Sequence, residues 1–131
     1  MDSLSLFHDS RTIAIVGLSD KPDRPSYQVA EYLLQQGYQV IPVNPMIERV
    51  FDIPTYPTIS SIPLSQHIDV VDIFRKSEEV LHIVEEVIQT GRKPIIWMQE
   101  GISSPEAEKL AKANDLEVVA NMCMMKTHKA L

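Results

Sequence analysis

The sequence predicts a three-layer α/β fold: an open, mainly parallel five-stranded sheet with helices on both faces. Three observations predict it. Short apolar runs alternate with amphipathic stretches along the chain, the pattern of a parallel sheet covered by its crossovers. The first run, Thr12-Ile-Ala-Ile-Val16, is apolar on both faces, as a strand buried between two layers must be. Gly37 and Gly91 close two of the amphipathic stretches, the place a glycine takes just past a helix. The 131 residues are 44% hydrophobic and 23% charged, an ordinary globular composition. We read one domain, 1–131. A chain of this size buries roughly 68–70% of its unfolded surface, and it is too short for a cofactor domain plus a separate catalytic one.

Each element follows in order. Thr12 to Val16 is the first strand. Gly17 to Pro25 is a loop with two prolines, and Ser26 is the expected N-cap of a helix running to about Gln36. Val29, Ala30, Leu33 and Leu34 form its apolar face. Tyr38 to Val43 is the second strand, stopped by Asn44-Pro45. The stretch to Pro63 is proline-rich and reads as loop with at most one helical turn, a length usually reserved for function or mobility. Ile68 to Phe74 is the third strand. Ser77 is the expected cap of the next helix, with Glu78 and Glu79 suiting its first turn and Val80, Leu81, Val84, Val87 and Ile88 inside. Pro94 to Met98 is the fourth strand. Ser104-Pro105 starts a fourth helix, with proline at the first helical position. Leu116 to Ala120 is the fifth strand. The residues after it carry no readable pattern. Right-handed crossovers then give a Rossmann-like sheet in the order 3-2-1-4-5. A ligand in such a sheet lies beyond the carboxyl ends of the strands.

Charge and cysteine content narrow the function. The net charge is −6 and no basic run overrides it, so neither nucleic acid nor an anionic membrane surface is an expected partner. One cysteine, Cys123, excludes an internal disulfide and a cysteine zinc cluster. The four histidines are scattered without ligand spacing, and no metal site is expected. The residues from Met1 to Ser10 lack the basic start and apolar core of a signal peptide. No apolar run reaches the ~18 residues of a membrane helix. A cytoplasmic protein is expected.

The loop Gly17-Leu-Ser19-Asp-Lys21-Pro-Asp-Arg24-Pro25-Ser26 is the most informative segment. It leaves a buried strand and feeds a helix N-terminus, where N–H groups are unpaired and the dipole is positive. Gly17 allows close approach of a ligand. Ser19 and Ser26 offer hydroxyl donors. Lys21 and Arg24 offer positive charge, Arg24 in a two-pronged form. Together they describe a phosphate cradle. The three-glycine dinucleotide fingerprint is missing, and Asn44 stands where an NAD site wants an acidic residue, which weakens NAD(H). Cys123 with His128 is a conceivable thiolate–imidazole pair, and Asp69 with Asp72 a conceivable acid–base pair. The plainer readings, a packed thiol and turn-capping carboxylates, outweigh both. No catalytic set is assigned.

Five segments in order carry a resemblance: residues 13–27 (IAIVGLSDKPDRPSY), Val40-Ile-Pro-Val-Asn-Pro45, Tyr56-Pro-Thr-Ile59, Val70-Val-Asp-Ile-Phe-Arg75 and Trp97-Met-Gln-Glu-Gly-Ile102. The chain resembles the small stand-alone CoA-binding proteins and, more distantly, the CoA-binding domain of the succinyl-CoA synthetase alpha subunit. The resemblance implies a Rossmann-like domain holding coenzyme A across the strand ends. By position, Gly17, Ser19, Arg24 and Ser26 would hold phosphates, in the loop with Lys21 and Pro25. Val43, Asn44 and Pro45 would border the adenosine. Phe74, Arg75 and Lys76 would border the groove between adenosine and pantetheine. Gln99, Glu100, Gly101 and Ile102 would face the pantetheine arm. The expected function is binding of CoA or a short acyl-CoA without a self-contained catalytic site. The alternatives are an acyl-CoA-handling enzyme or ligase component using Cys123 or His128, and an NAD(H)-binding sensor or oxidoreductase. A homodimer or a protein partner is open, with Leu4, Leu6 and Phe7 available to cover either the core or a dimer face.

Overall fold

The structure, a computed structural model, describes residues 3–131. Five parallel strands form the main sheet: β1 (Thr12–Val16), β2 (Gln39–Val43), β5 (Val70–Ile73), β6 (Ile95–Met98) and β7 (Val118–Val119), in the order β2-β1-β5-β6-β7. The helices are α1 (Ser3–Asp9), α2 (Pro25–Gln35), α3 (Val80–Gln89), α4 (Pro105–Ala113) and α5 (Met124–Lys129). The three-layer α/β reading holds, and the strand order needs one correction. The strand numbered third in the sequence, Ile68–Phe74, is internal: it pairs directly with β1, not with β2. Beyond β2 the chain makes a single parallel bridge, Val43 to Tyr56. That bridge occupies the edge place of a third strand, and with it the order reads 3-2-1-4-5-6, which contains the expected 3-2-1-4-5 pattern. Pro54 and Pro57 flank it, and proline lacks the N–H that extended pairing needs.

Alternation along the strands builds a core on each face. Ile13 and Ile15 of β1, Val70 of β5 and Trp97 of β6 pack with Leu6, Phe7, Val29, Leu33 and Met124, under α1, α2 and α5. Ala14, Val16, Val71, Ile73, Ile96 and Met98 pack with Val80, Val84, Val87, Ala107 and Ala111, under α3 and α4. Leu6 and Phe7 therefore cover the core, while Leu4 stays 66% exposed.

Several local expectations shift. Pro25 is the first residue of α2 and Arg24 its N-cap, so Ser26 lies inside the helix instead of capping it. The fixed φ of proline sets the start two residues earlier. Ser77 opens a 3-10 turn, Ser77–Glu79, ahead of α3, and its Oγ accepts from Ser103 N–H at 3.1 Å instead of capping its own helix. Ser104 does cap α4, accepting from Ala107 N–H at 3.2 Å. The second crossover holds a small hairpin, β3 (Arg49–Val50) and β4 (Ile53–Pro54). Its turn residues Phe51 and Asp52 have φ of 54° and 59°, a conformation usually signalled by Asn-Gly. Phe51 is held there by Tyr27 of α2, ring centroids 4.4 Å apart. Arg92 Nη2 donates to the carbonyls of Ile62, Pro63 and Gln66, tying the end of this crossover to the sheet. Among the described residues no helix is long and apolar enough to cross a membrane.

Candidate functional site

The carboxyl ends of β1, β2, β5 and β6 open onto one edge of the sheet. Gly17 directly follows β1, donating its N–H to Val43 O at 2.8 Å, while Phe74 donates to Val16 O at 2.9 Å. Gly17 has φ +87°, and a Cβ there would stand 2.6 Å from Phe74 O and 2.9 Å from Arg75 Cδ. Only glycine lets the three strand ends close together at this point.

The loop that follows is wired to itself. Ser26 Oγ accepts from Ser19 N–H at 2.9 Å, and Ser19 Oγ accepts from Lys21 N–H at 3.1 Å. Both hydroxyl hydrogens remain to donate outward. The first intrahelical bond of α2 runs from Gln28 N–H to Arg24 O, leaving the N–H groups of Ser26 and Tyr27 ahead of it. Lys21 and Arg24 are exposed, and neither is engaged in an ion pair among the described residues. Gly17, Ser19, Lys21, Arg24, Pro25, Ser26 and Phe74 enclose a depression of about 360 Å³.

Two further depressions adjoin it. On one side a slot of about 270 Å³ is bounded by Val16, Gly17, Val43, Pro45, Pro57, Thr58, Ile59, Arg75, Glu79, His82, Ile83 and Glu86. It shares Gly17 with the central depression. Arg75 and Glu79 pair there at 2.9 Å, and the hydrogen bond from Arg75 holds the Glu79 carboxyl below its usual range. On the other side a pocket of about 390 Å³ is bounded by Pro25, Gln28, Val29, Phe74, Gln99, Glu100, Ile102, Cys123, Met125 and Lys126. It shares Pro25 and Phe74 with the centre. A fourth depression lies past it, sharing Glu100, Cys123 and Lys126. The four lie side by side, each sharing lining residues with the next, and together make a groove along the strand ends.

Of the residues singled out in the sequence, Asn44, Lys76 and Gly101 lie outside these four depressions. Asn44 is a loop fastener: its Nδ2 donates to Leu18 O at 3.0 Å and its Oδ1 accepts from Met46 N–H at 2.8 Å. Lys76 sets the turn before α3, donating its N–H to Glu79 Oε2 at 3.2 Å. Gly101 N–H donates to Asn121 Oδ1 at 2.7 Å. The remaining residues converge from loops far apart in sequence. Glu100 reaches Lys126 of α5 at 3.0 Å, and this bond keeps the lysine charged to higher pH than usual. Sequence reasoning assigned no role to His82, Ile83 and Glu86 on α3 or to Gln28, Met125 and Lys126. Pro57, Thr58 and Ile59 fall in the quoted Tyr56-Pro-Thr-Ile run, which carried the resemblance without an assigned role, while Val43 and Pro45, expected at the adenosine, line the slot.

Gln99 deserves particular description because it is 4% exposed. Its Oε1 accepts from Met124 N–H at 3.0 Å, which fixes which end of the amide is which. Its Nε2 donates to no described residue.

The two conceivable catalytic pairs do not form. His128 Nδ1 bonds Tyr32 Oη at 2.5 Å, and the ring stands edge-on to Phe7 and Tyr38. It locks α5 onto α1 and α2 and makes no hydrogen bond to Cys123. Asp69 sits at the opposite, amino end of the sheet. Burial pushes its pKa up, but N–H donors of Arg11 and Thr12 and the His67 ring outweigh that, and the net shift is downward. Asp72 lies in mid-strand, fully buried between Ile15 and Trp97 in register, its carboxylate oxygens without a hydrogen-bond partner among the described residues. Burial raises its pKa well above the carboxylate range. Among the described residues no His, Cys, Asp and Glu cluster can hold a metal ion.

Residues 11–129 match the CoA binding domain family. The chain is 35% identical to the protein YneT of Bacillus subtilis, over 91% of this chain and 86% of that one. A solved structure of a Pyrococcus horikoshii protein superposes with a TM-score of 0.91 at 38% identity, covering 100% of this chain and 92% of its own. An ADP-forming acetate–CoA ligase of Archaeoglobus fulgidus is 28% identical over 85% of this chain, which spans 16% of that enzyme. A glycine-pinned groove across the strand ends, on a sheet of this order and with the family match running through both, makes this chain a member of the CoA binding domain family.

Proposed function

We propose that this domain binds coenzyme A, or a short acyl-CoA, along the groove and carries no self-contained catalytic site. The observation that carries the reading is the adjacency of three chemically different depressions in the order a CoA molecule needs. The central one has two cations unpaired among the described residues, two hydroxyl groups and the α2 N-terminus, a combination suited to a pyrophosphate. The slot beside it is walled by Val43, Pro45, Ile59 and Ile83, apolar enough for a flat base. The pocket on the other side has apolar walls at Val29, Ile102 and Met125 and the unspent Gln99 amide, the environment of a pantetheine chain with its two amides. The lone thiol and the absence of a membrane-length helix among the described residues support a cytoplasmic setting.

The test is calorimetric titration with CoA, dephospho-CoA and NADH in parallel. CoA is expected to bind more tightly than dephospho-CoA, and NADH not at all. Arg24→Ala is expected to weaken CoA about ten- to a hundredfold, the ~1.5–3 kcal/mol of a lost hydrogen bond to a charged group. Binding of NADH alone, or of none of the three, overturns the reading.

A further inference from the structure

We propose that Cys123 is a covalent docking site for the thiol end of the ligand, formed by thiol–disulfide exchange with CoA disulfide. This rests on the CoA reading above and adds a chemistry to its far end. Cys123 is partly exposed and, with Glu100 and Lys126, lines both the pantetheine-side pocket and the depression beyond it. Its position is held from below: its carbonyl accepts from Thr127 N–H at 2.9 Å and Thr127 Oγ1 at 2.8 Å. A thiol in a cleft is not in itself a site. The second observation is Gln99, nine-tenths buried in the same pocket, with its carbonyl end spent on Met124 N–H and its Nε2 donor unpartnered. An amide carbonyl of a ligand lying in that pocket would accept from it. A chain anchored there, with its phosphates at Arg24 and Lys21, runs on toward Cys123.

The step balances without a further oxidant. Cys123 loses its proton to solvent, and the thiolate attacks one sulfur of CoA–S–S–CoA. The bond from Cys123 Sγ to that sulfur forms as the old S–S bond breaks. One CoA leaves as the thiolate and takes up a proton. The number of disulfide bonds is unchanged.

The experiment incubates the fully reduced protein with CoA disulfide or, separately, glutathione disulfide at equal concentration, and follows intact mass over time. The expected product gains the mass of one CoA less two hydrogens, and it forms about a hundredfold or more faster than the glutathione adduct, because groove binding makes the attack intramolecular. Adenosine 3′-phosphate 5′-diphosphate, which fills the nucleotide part of the groove but has no thiol, is expected to slow the CoA adduct and leave the glutathione rate unchanged. Cys123→Ser is expected to form neither adduct, and the reduced wild-type protein is expected to bind CoA by calorimetry. Equal rates for the two disulfides, no adduct, or no slowing by the competitor overturns the covalent site, and if the reduced wild-type protein binds CoA the binding reading stands. Absence of CoA binding by the reduced wild-type protein overturns the two together.

Discussion

Replacing Gly17 by alanine tests the point where three strand ends meet. Two costs can be separated. The first is conformational: φ is +87°, and an L-residue in the left-handed region costs about 1–2 kcal/mol. The second is steric: the new Cβ would stand 2.6 Å from Phe74 O, a backbone atom at the end of β5, and 2.9 Å from Arg75 Cδ. The arginine can swing aside, but the carbonyl moves only with its strand, and forcing a packed site apart costs about 1–3 kcal/mol. Alanine also narrows the unfolded ensemble, which returns ~0.4–1 kcal/mol. The net loss is about 2–4 kcal/mol. Gly91→Ala provides the control. Its φ is +78°, and a Cβ there has nothing within 4 Å, so only the conformational cost remains, about 0–1.5 kcal/mol after the same unfolded-state return. Urea unfolding of both variants at pH 7 is the assay, read as a change in midpoint at constant slope. Equal losses for Gly17→Ala and Gly91→Ala would refute the close approach of Gly17 to β5. The Gly17 variant should also bind CoA more weakly, since the methyl fills the junction of slot and central depression.

Three further outcomes follow from buried groups away from the groove. Asp72→Val should stabilise the protein by about 1–3 kcal/mol at neutral pH, the cost of an unpartnered buried polar group. Because the native pKa of Asp72 is raised, the unfolded chain binds fewer protons than the native one above the unfolded value near 4, and wild-type stability falls as pH rises from there through the native pKa. The advantage of the variant should therefore grow with pH in a denaturation series from about pH 4 upward; a constant difference would contradict this placement. Asp69→Asn should cost about 1–3 kcal/mol at pH 7. The native pKa of Asp69 is lowered, so that stability is present above its unfolded pKa and lost as pH falls through the native one, and wild type and variant should converge in acid. Phe7→Ala removes a side chain wedged against Tyr38, Trp97 and His128 and should cost about 3–5 kcal/mol by thermal or urea unfolding; a loss under 1 kcal/mol would place α1 outside the core.

The periodic elements were readable because their signals are local. A strand apolar on both faces, a helix with apolar residues three and four apart, and Ser-Pro at a helix start act through neighbours within a few residues, so the three-layer fold and the loop of Gly17 to Ser26 stand out in the chain. The hairpin at Arg49–Pro54 was not readable: Phe51 and Asp52 carry no turn signal, and their left-handed backbone is held by the ring of Tyr27, which is remote in sequence. The edge role of Tyr56 was hidden likewise, since one bridge between prolines has no period. The groove itself depends on adjacency. Gly17 meets Phe74, Pro25 and Gln99 line one pocket, and Glu100 meets Lys126 only because right-handed crossovers set β1, β5 and β6 side by side and fold α5 back over their ends. The fate of polar side chains was decided at the same level. Asn44 was spent on the Leu18 and Met46 backbone, and His128 on Tyr32. The Gln99 amide was left with one donor unused, because local sequence names a hydrogen-bonding group but only packing supplies or withholds its partner.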